Sequence, residues 1–417
     1  MAATPGHAST RQVVHRGEPS SSPQVTASPD ELFDARALRH AAIPPAESNP
    51  VDWSEDEVST AIEDYAERRG HSPVSSGVPE AVVTDLPQSA GGYLADAITA
   101  DGGLVIRIDE GTRLLGWEQV PLLSTRELTV RADPTGRLDV VHDRPVDGGD
   151  LWDINGLRGV RSGPALVVGD ADQDSLASMA RIGVAAVRQA TALWGPDWNH
   201  RLVIVAPRTL EEFADQLGDP PTMARGFAAV TSGHASSNGA QAPPEQQFVG
   251  SRVFVNPDAW QHLTDSGRLF VLSHEATHVA SQGAARPRPP DWLAEGVADE
   301  VGSRASGITE DQLVSPLLDQ VRESGAPATL PTDDEFSGDD AEVGARAYAG
   351  AVAAVLLLER TYGRAALARF FRDVTSARRG GLRQDTATAR SMRDDLGTTP
   401  AAFTKAWRAE LRRLAAH

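Results

Sequence analysis

The feature that most restricts this chain is a pair of histidines four residues apart, His274-Glu275-Ala276-Thr277-His278. The apolar residues around it, Leu269, Leu272, Ala276, Val279 and Ala280, recur as on one side of a helix. On a helix, residues four apart lie one above the other, so both imidazoles can face a single metal ion. Glu275 lies beside them, within reach of a water held at the same point. A catalytic metal site takes three protein ligands and leaves one position open. The chain contains no cysteine, which leaves His, Asp or Glu as the third ligand. Glu295, seventeen positions after His278, is the candidate. It lies in Asp291-Trp292-Leu293-Ala294-Glu295-Gly296-Val297-Ala298-Asp299-Glu300, a second helical stretch set off by Pro287, Pro289 and Pro290. Asp299, one turn beyond Glu295, can accept the second N–H of a ligating imidazole and so fix its orientation.

His-Glu-Ala-Thr-His followed by Trp-Leu-Ala-Glu-Gly-Val-Ala-Asp resembles the gluzincin peptidases, the thermolysin-like and aminopeptidase-N-like group. In particular it is similar to bacterial "peptidase MA-like" domains of actinobacteria. The resemblance covers about residues 160 to 415. It implies Zn(2+) held by His274, His278 and Glu295, peptide or protein as substrate, and peptide-bond hydrolysis with Glu275 as general base. Members of the group supply a further donor to the oxyanion from a downstream Tyr or His. Of the two tyrosines after the motif, Tyr348 in Arg346-Ala347-Tyr348-Ala349-Gly350-Ala351 resembles the group's Tyr-x-x-Gly-Ala segment, with its glycine one position early. Tyr362, before Gly363, reads as a helix-end packing residue.

Composition narrows the partners. A net charge of −19 with no basic stripe argues against nucleic acid and against an anionic membrane surface. Met1 to Val14 lacks the apolar run of a secretory leader, and no segment reads as a membrane span. The most apolar run, Ala347 to Leu358, is interrupted by Gly350 and reads as a buried helix. A cytoplasmic location is the default expectation, and the resemblance leaves export open.

Taken in order, residues 1–28 read as disordered and 29–92 as helical segment plus linker. Within the latter, Ser54-Glu55-Asp56-Glu57 opens a helix with a capping-box pattern. Residues 93–160 read as a small α+β accessory domain. Its β-like runs are 104–108, 127–131 and 137–141, with a hairpin at Asp133-Pro134-Thr135-Gly136. Residues 161–417 form the catalytic domain in this reading. Strands are expected at 165–168, 201–205, 226–230 and 252–255, before the His-Glu-x-x-His helix, with helices alone after 310. The fold class is therefore α+β: an accessory region, then a zincin-type unit of small twisted sheet, active helix and mostly helical remainder.

In the fold implied by the resemblance, an edge strand near the cleft pairs with the extended substrate. The candidate is the 226–230 stretch, with Gly226, Ala228 and Ala229 as substrate-binding positions. Aminopeptidases of the group carry an acidic residue just after that strand to hold a free α-amine. Ala228-Ala229-Val230-Thr231 offers none, which favours cleavage of internal bonds. His234, in the following polar loop, reads as a loop residue able to reach substrate. Two rivals stand beside the enzyme reading. One is a binding or regulatory module without turnover, which has no need of Glu275. The other is a structural metal site, which needs a fourth protein ligand; His262 is a weak candidate.

Overall fold

The structure is a computed structural model and describes residues 54–70, 81–86, 95–99, 102–118, 122–146, 148–154, 156–232, 251–281, 288–337 and 340–416. The readings for 1–28 and for His234 lie outside these residues. Helix α1 (Glu55–Gly70) begins where the capping box places it. Ser54 N donates to Glu57 Oε2 at 2.9 Å, and Glu57 N donates to Ser54 Oγ at 3.3 Å. The helix packs on an antiparallel sheet of β1 (Ala81–Leu86), β2 (Ala95–Ile98), β3 (Leu104–Leu114), β4 (Leu122–Ala132) and β5 (Leu138–Pro145). β1 forms where linker is expected. Its Ala-Val-Val-Thr-Asp-Leu run lies along Asp109–Leu114 of β3, while β2 takes the other half of the same edge. The β4–β5 hairpin turns at Asp133, whose side chain accepts from Thr135 N at 2.7 Å, with Gly136 at φ 87.

Alternation along β3 and β4 turns Ile106, Ile108, Leu128 and Val130 inward against Val58, Ala61 and Ile62 of α1. Further along the same strands the inward positions become Glu110 and Arg126, both buried. These charges are matched: Arg69 Nε lies 2.9 Å from Glu110, and Arg126 Nη1 lies 2.9 Å from Asp153.

The second sheet has the order β6 (Arg158–Ser162), β7 (Ala165–Gly169), β8 (Leu202–Ala206), β10 (Arg252–Val255), β9 (Ala229–Ser232). β7, β8 and β10 run parallel, and the edge strands β6 and β9 run antiparallel. Every residue of β7 and β8 is buried, as expected of strands covered on both faces. One face, through Val167, Ile204, Val253 and Val255, joins a core with helix α2 (Gln173–Trp194) and with Leu272 and Ala276. The other face, through Leu166, Val168, Val203, Val230 and Phe254, packs with Leu114, Trp117 and Leu151 and with Phe213 of helix α3 (Leu210–Leu217). The boundary expected at 160/161 therefore falls inside β6. Arg-Gly-Val-Arg-Ser is too short and polar to announce a strand without its partner.

Short helices α4 (Pro221–Ala224) and α5 (Pro257–His262) flank β9 and β10. The rest is helical: α6 (Asp265–Ala280), α7 (Asp291–Ser306), α8 (Glu310–Ser324), α9 (Asp333–Ser337), α10 (Ala341–Tyr362), α11 (Arg364–Arg379), α12 (Gln384–Leu396) and α13 (Pro400–Ala415). The architecture is mixed α+β, with small sheets before a mostly helical C-terminal region. Among the described residues, α10 is the one helix long and apolar enough to cross a membrane. Ala347 to Val355 and Leu358 are nonetheless buried within the protein, as the sequence predicts.

Candidate metal centre

Helix α6 is capped by Thr264, whose side chain accepts from Gly267 N at 3.1 Å. From Phe270 to His278 every side chain is buried. Helix α7 starts after Pro290, and its first N–H is taken from outside: Asp291 N donates to Asp333 Oδ1 at 2.9 Å. Two glycines let α7 approach its neighbours. A Cβ on Gly302 would lie 3.0 Å from the Phe270 carbonyl of α6, and one on Gly296 would lie 2.5 Å from the Ala351 carbonyl of α10. Glu295 and Asp299 sit on the helix so gripped, both buried.

This packing converges three donor atoms. His274 Nε2 and His278 Nε2 are 3.0 Å apart, and Glu295 Oε2 lies 3.3 Å and 3.4 Å from them. A first-row divalent ion with arms of about 2.0–2.1 Å in tetrahedral array needs ligand atoms roughly 3.3 Å apart. The triangle matches. Glu295 Oε2 makes no hydrogen bond despite being buried, the state expected of an oxygen whose partner is a cation. Two imidazole lone pairs cannot face each other across 3.0 Å without a proton or a cation between them. The electrostatics agree. Burial alone would depress the His274 pKa, yet the Asp299 and Glu295 carboxylates beside it hold it up at about 10. Burial likewise opposes ionisation of Glu295, but His278 and His274 keep its carboxyl well below the usual range. The pocket is built for positive charge at its centre. Among the described residues this is the one group of three such side chains so placed.

Asp299 Oδ1 lies 2.8 Å from His274 Nδ1, so the second ring nitrogen is held from behind. Glu275 is buried next to His274 and meets β9: Thr231 Oγ1 donates to Glu275 Oε2 at 2.6 Å. Sequence reasoning gives Thr231 no role, because no local pattern ties residue 231 to residue 275. Tyr348 is buried in α10, edge-on to Phe336 at 5.1 Å between ring centroids. It lies one turn before Ala351, the residue whose carbonyl meets Gly296 beside Glu295.

The expected substrate strand begins three residues later. β9 covers Ala229–Ser232, and of the three candidate positions only Ala229 lies in it. Gly226 sits in an exposed turn, its N–H directed to Met223 O at 3.4 Å. Asn256 N donates to Ala228 O at 3.0 Å, and Asn256 Nδ2 donates to Phe227 O at 2.7 Å. The backbone before β9 is thus tied to the end of β10. His262 is exposed at the end of α5 and is not part of the cluster. Tyr362 is partly buried and packs against the main core.

No family model matches this chain, and no curated protein matches it. Among solved structures the chain is similar to an M1 zinc metallopeptidase from Deinococcus radiodurans, a mutant bound to a Tyr-Ser-Ala substrate. The identity is 14% and the TM-score 0.35, over 79% of this chain and 61% of that one. The chain thus spans about three fifths of that neighbour's length, and the likeness is too distant to assign residues by.

Proposed function

We propose that this chain is a zinc-dependent peptidase of the gluzincin plan that cleaves internal peptide bonds. One observation carries the reading: three buried donors at tetrahedral spacing, with a carboxylate next to them that is not part of the set. His274, His278 and Glu295 would hold the ion, and Asp299 keeps His274 presenting Nε2. When bound, a divalent ion supplies a Lewis acid that polarises a carbonyl and acidifies a water.

Glu275 takes one proton from the attacking water as the water oxygen bonds to the carbonyl carbon. It then gives that proton to the leaving nitrogen as the C–N bond breaks. Tyr348 donates to the oxygen that becomes negative. Among the described residues β9 pairs with β10 alone. Its other edge, Ala229–Ser232, is where an extended peptide would run. That stretch carries no carboxylate to hold a free α-amine, which supports internal cleavage over removal of N-terminal residues.

The test combines metal analysis with turnover of internally quenched peptides. Wild type should carry about one zinc, Glu275→Gln should keep it, and Glu295→Ala should lose it. Turnover should fall roughly 10²–10⁴-fold in Glu275→Gln and about 10²-fold in Tyr348→Phe with metal retained. A wild type that binds no metal even from added zinc would overturn the proposal. So would a Glu275→Gln variant as active as wild type.

A further inference from the structure

We infer that Thr231 is the positioning residue for the Glu275 carboxylate; the inference rests on the peptidase reading for its kinetic arm and on geometry for the rest. Glu275 has three side-chain torsions, and a base must hold its oxygen within a few tenths of an ångström of the proton it takes. Thr231 fixes the last torsion from the neighbouring sheet. Its hydroxyl lies 2.6 Å from Glu275 Oε2 and 3.3 Å from the Glu275 carbonyl, and the threonine is fully buried. A hydroxyl has one proton, and the short contact to the carboxylate oxygen is the one that takes it.

The donor is itself immobile. Thr231 faces Val253 in the β9–β10 ladder, and a β-branched side chain has little freedom about its first torsion. The strand that borders the substrate path thereby also sets the direction of the base.

The consequence is specific. Thr231→Val keeps the β-branched shape and the burial but deletes the donor. It should lower kcat about 10–100-fold with KM within about 3-fold, and it should keep the wild-type metal content while losing the stability of one buried hydrogen bond. Thr231→Ser restores the hydroxyl and should recover kcat to within about 5-fold of wild type. Crystal structures of the zinc-loaded variants give a readout independent of turnover. The Glu275 carboxylate should leave its wild-type rotamer or split over two in Thr231→Val, and should stay single in Thr231→Ser.

A Thr231→Val enzyme with wild-type kcat, or a Thr231→Ser enzyme as slow as Thr231→Val, would overturn the inference. An unchanged Glu275 rotamer in Thr231→Val would also do so. If wild type cleaves no peptide, the peptidase reading fails and the rotamer comparison alone decides the role of Thr231.

Discussion

Glu110 shows how a single buried acid sets the pH response of the first sheet. It is 1% exposed, 2.9 Å from Arg69 Nε and 3.7 Å from Arg126 Nε. Burial raises its pKa to about 7, with Arg69 opposing and Asp150 adding to the rise. In the unfolded chain the ordinary value near 4.5 returns. As pH climbs from about 4.5 to about 7, the unfolded chain releases this proton before the folded one does. The group's contribution to stability is therefore largest below that window and is lost across it. Glu110→Gln removes the term, so the difference in urea stability between wild type and variant should shift by about 1–3 kcal/mol in the variant's favour between pH 4.5 and 7.5. Parallel pH profiles for the two proteins would show that Glu110 does not titrate there. Single residues were also where the sequence was most and least informative. His274, His278, Glu295 and Asp299 could be picked out because a helix repeat and the lack of cysteine leave few alternatives. Thr231 could not, since its partner is 44 positions away on another element.

At the scale of elements, the site depends on how closely helix α7 is held between α6 and α10. Gly296 is the tightest point, where an added Cβ would stand 2.5 Å from the Ala351 carbonyl and 2.7 Å from a Val355 methyl. Gly296→Ala should therefore push α7 and α10 apart and cost about 1–3 kcal/mol. Because Glu295 is the adjacent residue, the same substitution should speed the loss of metal to a chelator. A variant as stable as wild type, with unchanged metal release, would mean that the helices give way without strain. The elements that carry this grip were legible, since α6, α7 and α10 have long apolar repeats. Short strands were not: β1, β2 and β6 have four to six residues each, and β6 mixes two arginines with a glycine. What makes them strands is the neighbour they pair with, which no local window contains. β9 starts later than the 226–230 pattern suggests for a related reason, as Asn256 takes the Phe227 and Ala228 carbonyls and delays the ladder to Ala229.

At the scale of the molecule, the two sheets are joined by a buried charge. Arg252 of β10 is 1% exposed. Its guanidinium reaches Glu118 at 2.7 Å and 2.9 Å, Asp150 at 3.4 Å and the Thr112 carbonyl at 3.2 Å, all on the other side of β6 in sequence. Arg161 and Arg201 add guanidinium groups 5.3 Å and 5.5 Å from the centre of the Trp117 ring. Removing one partner of a buried pair strands the other, so Glu118→Ala should cost about 3–5 kcal/mol. The double variant Glu118→Leu/Arg252→Met should recover most of that in a thermal-unfolding cycle. A double variant no better than Glu118→Ala would assign the loss to packing. The change at 160/161 from short β-like runs to alternating strand and helix reads as a seam between separable parts, and the same chain position is bridged by Arg252. A fragment beginning at Ala165 would strip Leu114, Trp117 and Leu151 from one apolar face of the second sheet and leave Arg252 without Glu118 and Asp150. The part that holds His274, His278 and Glu295 should therefore not fold when expressed without the first sheet, because that sheet is the lid on its apolar face.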